Sequence, residues 1–181
     1  MMGLADAVDD QGADLKGIIP KSCDHIFGFI DNESNSGKNF LVRCAYLEIY
    51  NEQVLDLLSR FDMNGKGKKS PANQKDVSLK IKEDPDRGIY VQDLTQVICK
   101  TVPDLQRLLD AGCKNRKVGE TAMNKDSSRS HSIFTIYIET SEVGPTGETT
   151  FKVGKMNLVD LAGSERQSKT HAAGDRLKEA N

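Results

Sequence analysis

The sequence predicts an α/β fold in which a mixed central β-sheet is flanked by helices. The first observation is a set of apolar, β-rich runs with partial alternation over residues 40–50, 131–143 and 149–161. The second is the helical spacing of apolar residues after Pro20 and again after Thr101. Helices and strands therefore intermix along the chain, which is typical of the α/β class. At 181 residues the chain is long enough for one domain with a sizeable core.

The first 40 residues are predicted to form a loop, a helix and a turn. Residues 1–16 are small and acidic, so we expect a loop there. Pro20 suits the first turn of a helix. The apolar residues at helical spacing behind it are Cys23, Ile26, Phe27 and Ile30. Residues 31–39 are turn-forming and lead into the first long strand.

Shorter elements are predicted in the middle of the chain. Residues 60–75 combine lysines with glycines and a proline, as a solvated basic loop does. Residues 77–82 alternate as a strand, and short strands are predicted at 89–91 and 95–98 after a turn at 84–88.

The second predicted helix begins after Thr101, which is a good N-cap residue ahead of Pro103. Its apolar residues, which include Leu105 and Leu109, recur at helical spacing to about Lys117.

The composition excludes several classes of protein. Net charge is −2, which argues against general nucleic-acid binding through bulk charge. The N-terminal residues lack the basic and apolar regions of a signal peptide, and no stretch approaches a membrane span. We therefore expect a cytoplasmic protein whose four cysteines are reduced core thiols without a Cys-x-x-Cys motif.

An apolar strand that ends in Asp160 and is followed by Gly163 is the first candidate site. We expect this strand to be buried up to its carboxyl end, where ligands of α/β sheets collect. Asp160 would then hold Mg²⁺ through water, and Gly163 would let a backbone N–H approach a γ-phosphate. Taken alone the pattern is weak, because a strand-ending Asp and a Gly turn are common.

Residues 127–131 place three serine hydroxyls and one arginine guanidinium within five residues, just before a strand. One interpretation is a loop whose serines cap backbone groups. The other is a loop that offers a hydroxyl ligand for Mg²⁺, donors for a γ-phosphate, and an Arg129 that pairs with Glu165.

Together, residues 124–131 (NKDSSRSH) and 157–165 (NLVDLAGSE) resemble switch I and switch II of the kinesin motor domain. Further segments resemble kinesin in the same order, at 17–20, 46–52, 56–58 and 115–119. The resemblance covers nearly the whole chain, and residues 155–180 are most similar to the intraflagellar-transport kinesins. It implies a kinesin-motor-like P-loop NTPase fold and a microtubule-stimulated ATPase that uses ATP and Mg²⁺. The implied location is the cytoplasm, on the microtubule cytoskeleton, with the cilium as one setting.

The resemblance also implies roles for single residues around the nucleotide. Asn124 and Ser127 are expected beside the γ-phosphate, and Ser128 as the Mg²⁺ ligand, with Asp160 its water-mediated partner. The residues expected to carry catalysis are Ser127, Arg129, Gly163 and Glu165. Arg129 pairs with Glu165 when the switches close over ATP, Gly163 donates its N–H to the γ-phosphate, and Glu165 positions the water network. His131 is expected to support the loop.

Microtubules are the partner that the resemblance implies, with no nucleic acid and no membrane. The hairpin that carries Lys82 and Arg87 resembles the kinesin loop that touches β-tubulin. Arg166 and Lys169 lie in the loop after switch II. Basic side chains on one face suit the acidic surface of tubulin, although scattered solvated charges are the alternative interpretation.

The sequence departs from the family at the phosphate loop, which requires Gly-x-x-x-x-Gly-Lys-Ser/Thr. None of the Gly-Lys pairs, at 37–38, 65–66, 67–68 and 154–155, is followed by Ser or Thr. We therefore expect residues 1–181 to be a partial motor domain, incomplete at both ends. It would start just after the phosphate loop and stop at the start of the switch II helix. No heptad repeat supports a dimerisation region.

Two functions remain open at this point. The chain is either part of a motor whose parent is a microtubule-stimulated ATPase and which is inactive in isolation, or a non-catalytic protein that binds microtubules or a partner motor. A GTPase is excluded because residues 124–126 lack the spacing of the guanine-reading Asn/Thr-Lys-x-Asp motif.

Overall fold

A computed structural model describes residues 3–8, 14–33, 36–63, 78–86, 88–123 and 129–163. The described elements are two helices and nine strands. In chain order they are β1 (Gly3–Val8), β2 (Asp14–Lys16), α1 (Ile18–Asn32), β3 (Lys38–Tyr50), β4 (Gln53–Asp56), β5 (Ile81–Asp84), β6 (Gly88–Val91), β7 (Val97–Cys99), α2 (Val102–Met123), β8 (His131–Val143) and β9 (Thr149–Asp160). This alternation of helices and strands confirms the predicted α/β class.

Three sheets are present in the described part of the chain. The largest has the strand order β4-β3-β8-β9, and β7 pairs with β3 beside this path. Strand β3 runs antiparallel to β4 and to β7. Two small antiparallel sheets join β1 with β2 and β5 with β6. A two-residue turn connects β3 to β4, with positive φ at Asn51 and Glu52, as in a type I′ hairpin.

Several predicted boundaries are wrong. The expected N-terminal loop contains β1 and β2. The strand predicted at 77–82 begins only at Ile81, and α2 continues six residues beyond Lys117. The basic loop predicted at 60–75 lies mostly outside the described residues.

Strand β9 corrects a further expectation, because most of its residues are exposed. Leu158 is buried, but Phe151, Val153 and Val159 are exposed. The physical reason is that β9 is the last strand in the sheet order. Within the described residues it pairs with β8 along one of its two edges.

The chain divides into two compact units. The first comprises Met1–Cys44, Val97–Leu108 and Thr135–Leu158, and the second comprises Ala45–Gln96, Leu109–Phe134 and Val159–Asn181. The second unit carries most of the candidate site.

Buried thiols form part of the core of the first unit. Cys23, Cys44 and Cys99 are buried free cysteines, whereas Cys113 of the second unit is half-buried. Burial raises the pKa of Cys23 to about 12. A hydrogen bond between Cys44 and Cys99, together with burial, raises the pKa of Cys44, and the same bond lowers that of Cys99. Among the described helices, none is long and apolar enough to cross a membrane.

Helix α2 starts with the capping arrangement that Thr101 predicts. The Asp104 N–H donates to Thr101 Oγ1 at 3.3 Å, and the Thr101 N–H donates to Asp104 Oδ2 at 3.1 Å. This reciprocal pair satisfies two of the donors that the first turn leaves open. The Lys100 N–H also donates to Asp104, which lowers the pKa of that carboxyl.

In the second unit α2 packs closely on β3, where Gly112 faces the ring of Tyr46. A Cβ added to Gly112 would lie 2.8 Å from Tyr46 Cε1 and closer still to Cδ1. The ring of Tyr46 is fixed on another side by Phe134, edge to face at 5.6 Å. Tyr46 is buried, and this burial raises the pKa of its hydroxyl. The helix can therefore approach the strand only with glycine at position 112.

Alanine at two helical glycines should therefore have opposite effects. We expect Gly112→Ala to lower the free energy of unfolding by about 1–3 kcal/mol through overpacking against Tyr46. Gly28→Ala in α1, where an added Cβ meets nothing within 4 Å, should raise it by about 0.5–1 kcal/mol. Urea unfolding of both variants tests this pair. Equal effects at the two positions would contradict the close approach.

Candidate functional site

The candidate site starts where β8 begins, in the second unit. Arg129 and His131 are half-buried. The serines beside His131 are buried, with 3% of Ser130 and 4% of Ser132 exposed. Buried hydroxyls need hydrogen-bond partners, and both serines find one on α2.

Arg116 of α2 is the partner of both serines. Its Nη2 donates to Ser130 Oγ at 3.1 Å and to the Ser130 carbonyl at 3.4 Å. Its Nη1 donates to Ser132 Oγ at 3.2 Å. Since residues two apart on an extended chain point the same way, one planar guanidinium can engage both hydroxyls.

The same guanidinium lies between two carboxylates. Glu48 Oε1 of β3 is 3.4 Å from Arg116 Nε, and Asp160 Oδ2 at the end of β9 is 3.6 Å from Nη1. The side chains of Glu48 and Arg116 are 9% and 14% exposed, whereas that of Asp160 is 45% exposed. A buried ion pair is tolerated when further hydrogen bonds support it, and Ser130 and Ser132 provide them for the two terminal nitrogens of Arg116. Arg116 therefore joins β3, the start of β8 and the end of β9.

A second contact links the start of β8 to the segment after β9. The Ala162 backbone N–H donates to His131 Nδ1 at 3.0 Å. Leu161, just before it, is 70% exposed, so side-chain packing holds this segment only weakly. The two phosphate-sensing segments predicted from the sequence are thus in contact through His131 and Ala162.

The structure describes three of the predicted nucleotide-site residues. Asp160 ends β9 and pairs with Arg116, Gly163 is exposed two residues beyond Leu161, and Arg129 is half-buried ahead of Ser130. Asn124, Ser127, Ser128 and Glu165 lie outside the described residues. The expected Arg129–Glu165 pair therefore remains a prediction.

The residues expected to face microtubules are less fully described. Lys82 is exposed on β5, opposite Tyr90 of β6. The turn between these strands is closed by Asp84 Oδ1, which accepts from the Asp86 N–H at 3.0 Å. Arg87, Arg166 and Lys169 lie outside the described residues.

Sequence reasoning missed Glu48 and Arg116, the buried pair at the centre of the site. Both lie in segments that carry the family resemblance, 46–52 and 115–119, but neither received a role. A signal was present in β3, because Glu48 is a single carboxylate inside an apolar strand. A charge at such a position is almost always paired, which calls for a cation on a neighbouring element.

The fit of Mg²⁺ depends on oxygen donors, and Asp160 supplies one. Its carboxylate is half-exposed at the end of a strand, which suits an ion that keeps several waters and takes one or two protein oxygens. In the described ranges no three His, Cys, Asp or Glu side chains cluster as a complete metal site. Among the described residues, Asp160 therefore fits a Mg²⁺ ion that takes most of its remaining ligands from outside the protein.

Comparison with known proteins gives consistent matches. The family model described as the kinesin motor domain matches residues 1–181. The kinesin-like protein klp-20 of Caenorhabditis elegans is 48% identical over 174 residues, which are 96% of this chain and 24% of klp-20. The kinesin-like protein KIF3C of Mus musculus is 44% identical over 163 residues, 89% of this chain and 19% of KIF3C.

Solved structures are similar over most of the chain. A fast kinesin has a TM-score of 0.76 at 37% identity and covers 99% of this chain, which spans 45% of that structure. A KIF14 dimer in complex with a microtubule has a TM-score of 0.75 at 35% identity, with 93% of this chain and 45% of that one covered. These matches support the kinesin-motor-like P-loop NTPase fold. The chain spans about a quarter or less of the length of the curated relatives.

Loss of the Arg116 guanidinium should destabilise the chain strongly. We expect Arg116→Met to lower the free energy of unfolding by about 3–5 kcal/mol, because Glu48 is left buried without its counter-charge. The double variant Glu48→Leu/Arg116→Met should recover most of that loss. Denaturant unfolding of the wild type, Arg116→Met and the double variant gives the three free energies of unfolding.

The control for this prediction is Arg107→Ala on the same helix. The Arg107 side chain is 59% exposed and pairs with Asp104 one turn away, so its loss should cost less than about 1 kcal/mol. A double variant no more stable than Arg116→Met would contradict the buried-pair account.

Proposed function

The chain belongs to the kinesin motor domain family, and from this premise we propose that it is part of a microtubule-based motor in which ATP hydrolysis drives movement. The observation that carries the proposal is the joining of the two phosphate-sensing segments. Arg116 contacts Ser130 on the first segment, Ser132 directly after it, and Asp160 on the other segment. A change at a γ-phosphate that moves one segment would thereby be transmitted to the other.

The proposed nucleotide site consists of residues from both segments. Asn124 and Ser127 would bind the γ-phosphate, while Ser128 and Asp160 would hold Mg²⁺, which neutralises charge on the phosphate oxygens. Gly163 would donate its N–H, since without a Cβ its backbone can approach the phosphate.

The closing contact of the site would be the pair of Arg129 and Glu165. A guanidinium and a carboxylate can form two parallel hydrogen bonds, so the pair would latch the segments in one geometry. Glu165 would then position the water network around the attacking water. Catalysis of this kind is achieved by positioning and by charge stabilisation.

Tubulin is the proposed protein partner. The KIF14 structure that this chain resembles is a complex with a microtubule. In the present chain Lys82 is exposed on β5 and, with Arg87, Arg166 and Lys169, would meet the acidic tubulin surface through electrostatic steering. We place the protein on the microtubule cytoskeleton, with the cilium as the setting suggested by residues 155–180.

For the 181-residue chain alone we propose weak or no ATP binding and negligible hydrolysis. Backbone N–H groups and the lysine of a phosphate loop supply most of the triphosphate anchoring, and no Gly-Lys-Ser/Thr occurs in the sequence. The same observation supports the second candidate, a non-catalytic chain that binds microtubules or a partner motor without turnover. The two candidates differ in the ATPase activity of the full-length protein.

In the full-length protein, Gly163→Ala should reduce microtubule-stimulated kcat by about 10²–10³-fold. The added Cβ would keep the backbone N–H from the γ-phosphate, which is equivalent to losing one preorganised donor. Phosphate release in the presence of microtubules measures the effect. Gly28→Ala, on the open side of α1, is the matched control and should leave kcat unchanged.

The 181-residue chain is assayed in parallel, with microtubules alone as the baseline. Phosphate release above this baseline would overturn the proposed inactivity of the isolated chain. A full-length protein without microtubule-stimulated ATPase would favour the non-catalytic candidate.

A further inference from the structure

His131 is the described side chain that contacts the backbone immediately before Gly163. It opens β8, and its Nδ1 accepts from the Ala162 N–H at 3.0 Å. The two residues are 31 positions apart. The bond therefore joins two elements that are distant in sequence and does not belong to a local turn.

The direction of this hydrogen bond fixes the state of the ring. A backbone N–H can only donate, so Nδ1 must carry a lone pair. The neutral imidazole then has its proton on Nε2. Accepting this hydrogen bond requires an atom with a lone pair bonded to Cγ. Filling space at the start of a strand does not require such an atom.

Side-chain burial does little to hold the residues on either side of the Ala162 N–H that donates this bond. Leu161 is 70% exposed and Gly163 is exposed, so side-chain burial contributes little on either side of Ala162. The peptides that carry the N–H groups of Ala162 and Gly163 are separated by the two backbone dihedrals of Ala162 alone. Holding the first peptide therefore limits where the second can point.

The residues on either side of His131 are held by buried contacts. Ser130 and Ser132, on either side of His131, are buried and bonded to Arg116. Arg116 in turn is paired with Glu48 on β3. Because the neighbours of the ring are held by buried contacts and the neighbours of Ala162 are exposed, the ring is better placed to position Ala162 than the reverse.

We propose that His131 is a positioning residue that aims the Gly163 N–H through its hydrogen bond to Ala162. The inference rests on the proposed function, in which the Gly163 N–H meets a γ-phosphate. His131 itself touches neither nucleotide nor metal in this role. It sets the donor in place before the phosphate arrives, so the site loses no energy to reorganisation when the reaction occurs.

Three substitutions separate this role from a purely structural one. His131→Asn keeps an acceptor, Oδ1, at the place of Nδ1. His131→Gln moves the acceptor one bond further out, and His131→Phe keeps the ring shape without any acceptor. Positioning predicts that Asn resembles the wild type, whereas Gln and Phe are defective. Space filling predicts that Phe is the best substitute.

The first readout needs no nucleotide and uses the 181-residue chain. In ¹⁵N NMR spectra, the His131 ring should show the tautomer protonated on Nε2. Exchange of the Ala162 amide should be about five- to tenfold faster in His131→Phe than in the wild type and in His131→Asn, since one hydrogen bond is lost. Equal exchange in all four proteins would overturn the proposed bond.

The second readout is the microtubule-stimulated ATPase of the full-length protein. We expect His131→Phe and His131→Gln to lower kcat at least tenfold, with an unchanged KM for microtubules, and His131→Asn to restore kcat. Faster Ala162 exchange without a change in kcat would overturn the positioning role and leave the proposed function intact. A wild type without ATPase activity would overturn the proposed function and the role that depends on it, while the exchange data would still show whether the bond exists.

Discussion

The buried ion pair of Glu48 and Arg116 is the interaction on which the rest of the site depends. Two charges that are 9% and 14% exposed would be costly unless their remaining hydrogen-bonding capacity were satisfied. Ser130 and Ser132 accept hydrogen bonds from the two terminal nitrogens of Arg116, and these contacts fix the start of β8 against α2. Asp160, on the outer side of the same guanidinium, is then held where β9 ends. The geometry of the site follows from neutralising one buried cation.

The close packing of α2 on β3 is the second constraint, because it determines where Arg116 can lie. Gly112 allows the helix to approach the ring of Tyr46, and Arg116 follows one helical turn later on the same helix. In the same region Asn115 Nδ2 donates to the Leu57 carbonyl at 2.7 Å. Packing and charge therefore act together. The glycine allows a short distance between helix and strand, and at this distance Arg116 can pair with Glu48.

The sequence allowed most of the long elements to be predicted, since periodicity and capping are local signals. Strand β8 has the predicted bounds, and the Thr101 cap of α2 forms as expected. The strands at the N-terminus were missed because residues 3–16 carry little apolar patterning. The exposure of β9 was missed because burial depends on neighbours that a single strand does not reveal.

The site was only partly predictable for a related reason. Asp160, Gly163 and Arg129 could be proposed as site residues because their motifs are contiguous, whereas the pairing of Glu48 with Arg116 joins residues far apart in the chain. Neither charge indicates its partner by spacing. The link from His131 to Ala162 was likewise unpredictable in its atoms, although support of the loop by His131 was expected.

A double-mutant cycle between Arg116 and Asp160 tests most directly whether one guanidinium joins the two segments. The free energies of unfolding of the wild type, Arg116→Met, Asp160→Asn and the double variant give the coupling energy. For a pair with one half-exposed member we predict a favourable coupling of about 0.5–1 kcal/mol. Additive effects, with no coupling beyond error, would contradict the account.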